Sequence, residues 1–247
     1  MCSSYVEIGL VPADGMGERL DEPLERLREL STALEALAAL YLNEPDREGV
    51  EFVLEADPSQ DALLEESPRA LAGFRTMQDF CSGARDEQAL LRELTGDQSQ
   101  LFVGPLKLAA PPWGSVYMDS GSLFGPSTSE VRERFRQIGL QVPDVGQDPE
   151  DHIGFELSFL SAVNQRVAGA AANGKNAEAL RLGAMGWDFI ERLMEPWMGP
   201  FFDKVETNAK TGFYRGLAQL TGGLIEVEKG ALENFRAVSL NGSDEIE

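Results

Sequence analysis

Apolar residues recur at every third or fourth position along most of the chain, which is the spacing of an amphipathic α-helix. Leucines across residues 20–40 follow this spacing with charged residues between them, and they predict a first helix from Asp21 to about Asn43. Pro23 suits the first turn of that helix. Only residues 50–54 and 101–103 have apolar patterns that could compete as strands. The pattern therefore predicts an all-α fold.

Cap residues and prolines predict where the later helices begin. Asp57, Ser67 and Asp148 each precede a proline, as an N-cap precedes N1, and residues 127–130 match a capping box. A break is predicted at residues 195–197. For two of the predicted helices only the start is predicted, near 58 and near 85. The others run over about 68–80, 127–138, 149–172, 177–194, 201–208 and 213–235.

The domain prediction is a single helical domain of about ten helices over residues 20–235. Residues 1–19 lack periodicity and are predicted to be loose, and residues 236–247 are predicted to form a flexible acidic tail. A Pro- and Gly-containing segment near 140–148 is interpreted as a linker that divides the domain into two lobes.

One stretch, residues 101–119 (LFVGPLKLAAPPWGSVYMD), breaks the helical pattern while staying strongly apolar. Its three prolines lack backbone donors and fix φ, so a regular helix or strand is excluded. Loops normally lie on the surface and are polar, so an apolar loop is either buried as a connector or lines a binding site. The residues alone leave these two interpretations equally open.

The charge balance excludes several partners. The 247 residues include 21 basic and 42 acidic side chains, for a net charge of −21 and a pI near 4.4. Nucleic acid and anionic membranes would be repelled, whereas a basic partner would be attracted. Adaptation to a salty cytoplasm is the alternative explanation. The two cysteines, Cys2 and Cys81, have no metal-type spacing, and no apolar run is long enough to span a bilayer, so a soluble cytoplasmic protein is expected.

Candidate catalytic and metal-binding motifs are weak. His152 is the only histidine, no serine motif accompanies it, and no group of residues has the spacing of metal ligands. The segment Gly169 to Lys175 matches the phosphate-loop pattern GxxxxGK, but Asn176 stands where Ser or Thr would bind magnesium. Gly174 is better explained as a helix C-cap. We therefore predict a binding protein, not an enzyme, with no cofactor and no metal.

Four motifs resemble the TorD/DmsD family of cytoplasmic molybdoenzyme maturation chaperones, and most closely its DmsD branch. They are the loop LFVGPLKLAAPPWGSVYMD, then SLFGPSTSEVR, PEDHIGFELSFL, and EPWMGPFFD with FYRGLAQLT. The resemblance covers residues 20–230. It implies binding of the twin-arginine signal peptide of a DMSO reductase-type catalytic subunit, with export delayed until the cofactor is inserted. Tat translocase components are further implied partners.

The resemblance also implies the residues of the peptide-binding pocket. They are Leu101, Phe102, Pro112, Trp113, Tyr117, Gly125, Asp151 and His152. Tyr117 stands where relatives commonly have Trp, and Leu106 likewise replaces an aromatic residue. The floor of the pocket is therefore expected to accept a different apolar stretch, and the reductase that is bound is not identified by the resemblance. Gly114, Ser115 and Asp119 are predicted to hold the loop by hydrogen bonds and are left outside the pocket.

The mechanism expected from this resemblance divides the peptide between two kinds of contact. Its apolar stretch would lie against Phe102, Trp113 and Tyr117, and its arginines would meet acceptors near Asp151 and the acidic rim. His152 would act as a hydrogen-bond partner, not as a cation. Two alternatives stay open: a nucleotide-binding hydrolase that uses Gly174-Lys175, and a permanent non-catalytic subunit of a reductase.

Overall fold

A computed structural model describes residues 14–83, 86–104, 107–142 and 148–241. Every regular element in these ranges is helical, and the one extended pairing among them is an isolated bridge between Trp113 and His152. The predicted all-α class is confirmed. The helices are α1 (Asp14–Leu42), α2 (Arg47–Glu55), α3 (Ala62–Glu66), α4 (Pro68–Ser82), α5 (Glu87–Gln98), α6 (Gly114–Met118), α7 (Pro126–Gln137), α8 (Ile153–Ala172), α9 (Asn176–Phe189), α10 (Glu195–Asn208) and α11 (Gly212–Asn241).

The two longest helices, α1 and α11, form the centre of the packing. α4 packs along α11, α8 packs along α1, and α9 joins α8 to α11. Their apolar faces enclose one continuous core. At the end of this core, next to α5 and α10, lies an aromatic cluster of Tyr41, Phe102, Phe201 and Tyr214, whose ring centroids are 5.5–6.2 Å apart. The site described below is built over this cluster.

The chain ends depart from the predicted boundaries. α1 begins at Asp14, so the last six residues of the predicted loose segment 1–19 are helical, and Pro23 lies inside the helix and not in its first turn. α11 continues to Asn241, where a flexible tail was predicted from 236. Residues 1–13 and 242–247 lie outside the described part of the chain.

Cap predictions were right where the side chain reaches the helix that follows it. Ser67 accepts a hydrogen bond from the Ala70 N–H at 3.2 Å and begins α4, as predicted. The prediction for Asp57 was wrong, because its carboxylate closes its own turn by accepting from Ser59. The N-cap of α3 is Asp61 instead. An aspartate can satisfy a turn or a helix end equally well, so sequence alone does not distinguish them.

Two further cap predictions were wrong. α7 begins at Pro126 after Gly125, which has no capping side chain, so residues 127–130 are not a capping box. α8 begins at Ile153 with His152 as its N-cap, and Asp148 lies outside the helix. The predicted linker near 140–148 falls mostly on residues 143–147, outside the described residues.

The two short candidates for strands and the predicted break are all helical. Residues 50–54 belong to α2, and residues 101–103 belong to a π-helical turn, Ser99–Val103, that extends α5. The predicted break at 195–197 is instead the start of α10, which follows a second π-helical turn, Ile190–Met194. Trp197 is fully buried there.

A buried carboxyl group joins α8 to α11. The Asn164 side-chain amide donates to Glu228 Oε2 at 2.9 Å, and burial raises the Glu228 pKa to about 8. The carboxyl is therefore mostly protonated at neutral pH. Because the folded-state pKa lies above the unfolded value of 4.5, its contribution to stability is complete below pH 4.5 and is lost as pH rises through about 8.

We predict that Glu228→Gln removes this group's share of the pH dependence of stability. A glutamine keeps the shape of the protonated carboxyl but cannot ionise. Between about pH 5 and about pH 9, the wild-type free energy of unfolding should fall by more than that of the variant, by roughly 1–4 kcal/mol at about 1.4 kcal/mol per pKa unit. Urea unfolding at several pH values measures this, with exposed Glu130→Gln as control. Parallel curves for the wild type and Glu228→Gln would contradict the prediction.

Candidate functional site

The apolar loop begins by folding back on the π-helical turn at the end of α5. The Gly104 N–H donates to Ser99 O at 2.7 Å, and the Ala109 and Ala110 N–H groups donate to Gln100 O and Leu101 O at 3.1 Å. Residues 105–106 lie outside the described residues. They include Leu106, noted above as a position where relatives commonly have an aromatic residue. The turn directs two large side chains, Leu101 and Phe102, inward.

Leu101 and Phe102 are fully buried and belong to the core. Phe102 meets Tyr41 and Tyr214 edge-on, with centroid distances of 5.8 and 5.5 Å, and lies 6.1 Å from Phe201. These two residues therefore support the site from below and are not part of its surface in this structure. Half of the loop is thus a buried connector, as one of the two interpretations had it.

The second half of the loop pairs with the chain that enters α8. The Gly114 N–H donates to Asp151 O, and the Ile153 N–H donates to Pro112 O, both at 2.9 Å. These bonds form the bridge between Trp113 and His152. Pro112 can occupy its place because it supplies only a carbonyl there. Two segments about 40 residues apart in sequence are thereby brought together at one point.

Asp151 clamps three segments together through its side chain. Its Oδ2 accepts from the Ser115 N–H at 2.5 Å, and its Oδ1 accepts from the Thr128 hydroxyl at 2.8 Å. The side chain is only 1% exposed. Both oxygens are used inside the protein, so this carboxylate orders the starts of α6, α7 and α8. The expectation that it receives arginines from a peptide is not favoured by this geometry.

His152 caps α8 in its neutral form. Its Nδ1 accepts a hydrogen bond from the Gly154 N–H at 3.0 Å, so the ring proton is on Nε2. Burial lowers the pKa of His152 to about 4, because removal from water disfavours the charged form. Trp113 lies edge-on to the imidazole at 5.6 Å. This agrees with the expectation that His152 does not act as a cation.

Gly125 lies where a second carboxylate closes a tight loop. Asp119 accepts hydrogen bonds from the Ser127 N–H and hydroxyl, each at 3.0 Å. A Cβ at position 125 would come within 2.2 Å of Asp119 Oδ2, so any larger residue would displace this carboxylate. Gly125 thus shapes the loop. Asp119 and Ser115 hold the loop by hydrogen bonds, as predicted.

Tyr117 lies flat in the wall of the site. Its hydroxyl donates to Pro111 O at 2.9 Å, its ring stacks on Trp197 at 5.7 Å, and the Lys204 ammonium lies 4.5 Å above the ring centroid. The side chain is half-buried. Tyr117 therefore connects the loop to α10 and keeps part of its ring at the surface.

An apolar groove of about 610 Å³ opens on the outer side of the loop. We call it the Trp113 groove; the apolar side chains that line it include Leu108, Pro111, Trp113, Val116 and Leu123. Trp113 is half-buried, and Leu123 and Phe124, in the loop beside it, are each 46% exposed. Large apolar side chains exposed together mark a binding surface more often than not.

One buried group of the site, Glu156, was missed by the sequence analysis. It lies one turn into α8, is completely buried, and its carboxyl oxygens have no hydrogen-bond partner among the described residues. Burial, reinforced by the negative charge of Asp151, raises its pKa well above the usual range, and the nearby Trp197 indole opposes this only in part. A carboxylate within the apolar stripe PEDHIGFELSFL was the available indication.

The segment Gly174-Lys175 forms a helix end. The Lys175 N–H donates to Ala170 O and the Gly174 N–H to Ala171 O, both at 2.9 Å, and Gly174 has a φ of 70°. This is a Schellman C-cap of α8. The chain before it is helix, whereas a phosphate loop follows a strand. The geometry does not favour the nucleotide-hydrolase alternative.

A family model described as "Nitrate reductase delta subunit" matches residues 60–203, more than half of the chain. The chain belongs to this family. The matched range contains the apolar loop, the Asp151 clamp and the start of α10. The resemblance on which the sequence analysis relied is thereby confirmed at the level of the family.

Curated relatives share parts of the same sequence. A "Tat proofreading chaperone DmsD" from Salmonella paratyphi A is 37% identical over 122 residues, which are 49% of this chain and 53% of that protein. A "Chaperone protein TorD" from Shewanella oneidensis is 27% identical over 205 residues, 80% of this chain and 87% of that protein. The chain therefore spans about half the length of the DmsD proteins that it matches.

A solved structure gives a weaker match. A candidate redox enzyme maturation protein from Archaeoglobus fulgidus has a TM-score of 0.42 and 21% sequence identity, over 83% of this chain and 93% of that chain.

Within the described residues, no three or more His, Cys, Asp or Glu side chains are grouped as metal ligands, and none of the helices is long and apolar enough to cross a membrane. The chemistry that the site does offer is an apolar surface held on a hydrogen-bonded frame. It is suited to binding a peptide.

We predict that Asp151→Ala destabilises the fold by roughly 1–3 kcal/mol, because two buried donors lose their acceptor. Urea unfolding measures the loss. In a double-mutant cycle, Thr128→Ala should cost less in the Asp151→Ala background than in the wild type, since its hydroxyl bonds the same carboxylate. Strictly additive effects of the two substitutions would show that the clamp does not act as described. Thr32→Ala, on the exposed face of α1, serves as the control.

Proposed function

We propose that this protein is a cytoplasmic redox enzyme maturation chaperone that binds the twin-arginine signal peptide of a molybdopterin-dependent reductase catalytic subunit. By holding the peptide it would delay export until the cofactor is inserted. The single observation that carries the proposal is the exposed apolar Trp113 groove on a rigid frame, in a chain of this family. The names of the relatives, which include a Tat proofreading chaperone and a TorD chaperone, support it.

The groove suits the apolar stretch of such a peptide. Trp113, Val116 and Leu123 provide its apolar surface, and burying one or two large side chains against it contributes roughly 2–5 kcal/mol before ordering costs are subtracted. The frame is already ordered by Asp151, so little of this free energy is lost in forming the site. An apolar helix or turn of a peptide is the occupant that these contacts favour.

The site residues divide into two groups under this proposal. Trp113 and Tyr117 contact the peptide directly. Leu101, Phe102, Pro112, Gly125, Asp151 and His152 position the contact surface from beneath or beside it. A loss of peptide binding on changing the second group would therefore be accompanied by a loss of stability.

We predict that Trp113→Ala weakens peptide binding about tenfold or more, because a central tryptophan commonly dominates such an interface. Isothermal titration calorimetry with a synthetic leader peptide, containing an Arg-Arg pair followed by an apolar stretch, measures the change. Trp187→Ala is the matched control, since Trp187 lies away from the groove and bonds Glu233. Equal affinities for Trp113→Ala and wild type would rule out the groove as the binding site.

A permanent reductase subunit would bind the same catalytic subunit but remain in the mature enzyme. Purification of that enzyme from the native host, followed by size-exclusion chromatography and mass spectrometry of the peak, separates the two roles. Under our proposal the chain is absent from the mature enzyme and present in complexes with the precursor.

A further inference from the structure

A second opening lies where α1 ends and α2 begins. It is a cavity of about 310 Å³, near the lower end of ligand-pocket sizes and large enough for one or two side chains. Its apolar walls include Leu40, Val50, Leu94 and Tyr214, and Phe52 beside them is 54% exposed. Glu44, Asp46 and Glu48 also line it, and we call it the acidic pocket.

The charge at this pocket is uncompensated. Glu44 and Glu48 are exposed, and neither pairs with a basic side chain among the described residues. Asp46 uses one oxygen to cap α2, and the intervening Arg47 pairs with Glu51 at 2.6 Å instead of with the pocket carboxylates. The N-terminus of α2 adds only about half a positive charge. A cation is therefore attracted here.

The wall of this pocket also contains a buried polar group that lacks a hydrogen bond within the described part of the chain. Tyr214 lines the pocket and is fully buried, and its hydroxyl has no hydrogen-bond partner among the described residues. A buried hydroxyl without a partner is costly. The wall of the pocket therefore contains one polar group whose hydrogen bond is not made by any described residue.

The Trp113 groove has the opposite charge character. Among the described residues, its only charged lining residues are Lys107 and Lys204, and the two carboxylates of its frame, Asp119 and Asp151, are both engaged in hydrogen bonds inside the protein. The groove therefore suits apolar side chains and repels arginines. A peptide that is cationic at one end and apolar along the rest would find acceptors in the acidic pocket and not in the groove.

The two openings border the same packed residues. Phe102 contacts Tyr214 of the acidic pocket, and Phe201 contacts both Phe102 and Tyr117. On the other side, Leu42 at the end of α1 lies against Gly154, two residues from the His152 ring that meets Trp113. Leu42 is itself exposed. Packed apolar side chains thus connect the groove to the pocket.

We propose that the acidic pocket binds the arginine-bearing end of the peptide whose apolar stretch occupies the Trp113 groove, with Glu44 and Glu48 as the acceptors. This inference rests on the proposed function. It assigns the recognition of the cationic residues to the end of α1 and the start of α2, and so separates it from the apolar contact.

The experiment compares two probes on one double variant. The probes are a fluorescently labelled leader peptide with an Arg-Arg pair before its apolar stretch and the same peptide with Gln-Gln. Glu44→Gln/Glu48→Gln removes both acceptors and leaves the Asp46 cap intact. Fluorescence anisotropy should show about tenfold weaker binding of the Arg-Arg peptide to the variant, and unchanged binding of the Gln-Gln peptide.

The control is Glu130→Gln/Glu133→Gln, which removes the same charge from an exposed face of α7 that lines neither opening. It should leave both affinities close to wild type. Thermal melts verify that each variant is folded. Equal weakening by the two double variants would attribute the effect to net charge and overturn the inference.

The failures of the two proposals are distinguishable. Unchanged binding of the Arg-Arg peptide to Glu44→Gln/Glu48→Gln, with a loss on Trp113→Ala, would overturn the acidic pocket and keep the proposed function. Absence of binding of either peptide to the wild type would overturn the proposed function itself.

Discussion

The carboxylate of Asp151 is the constraint on which the site depends. It accepts from the Ser115 N–H and the Thr128 hydroxyl while its own carbonyl accepts from Gly114, so one residue orders the starts of three helices. A buried and fully bonded carboxylate has few alternative positions. With the backbone held on both sides, Trp113 lies beside His152 at the surface and cannot collapse into the core. The apolar groove is thereby formed before any ligand arrives.

Among the described residues, no basic side chain forms an ion pair with this carboxylate. His152 is neutral, burial raises the Glu156 pKa well above its usual range, and Arg132 is committed to Glu150 by two bonds of 2.6 and 2.8 Å. The Asp151 carboxylate is hydrogen-bonded by N–H and O–H donors, and the positive charge of Arg132 acts on it only from a distance. Three successive polar residues thus have three tasks: Glu150 fixes α7 through Arg132, Asp151 clamps the loop, and His152 caps α8.

The sequence predicted the helical class well because an apolar stripe of period 3.6 survives packing, and it predicted Ser67 and Gly174 because their cap geometry is local. It failed for Asp57, because an aspartate bonds its own turn as readily as a helix end. π-helical turns such as Ser99–Val103 have no periodicity of their own and were not foreseen. The loop was found from its composition. Which of its side chains face outward was not, since prolines remove the periodicity that would distinguish Phe102 from Trp113.

The separation of apolar and acidic surface bears on how a net charge of −21 can serve binding. A uniform negative field accelerates the approach of any cation but does not select a position on the surface. Lys107 and Lys204 make the Trp113 groove locally unfavourable for arginine, whereas Glu44 and Glu48, beside an exposed Phe52, pair with no basic side chain in the described part of the chain. A basic ligand attracted by the field would thus be oriented by local charges of both signs. In this orientation the apolar residues of the ligand would lie over Trp113, where the contact is insensitive to salt. Because the frame is preformed, little of the binding free energy would be lost in ordering the site.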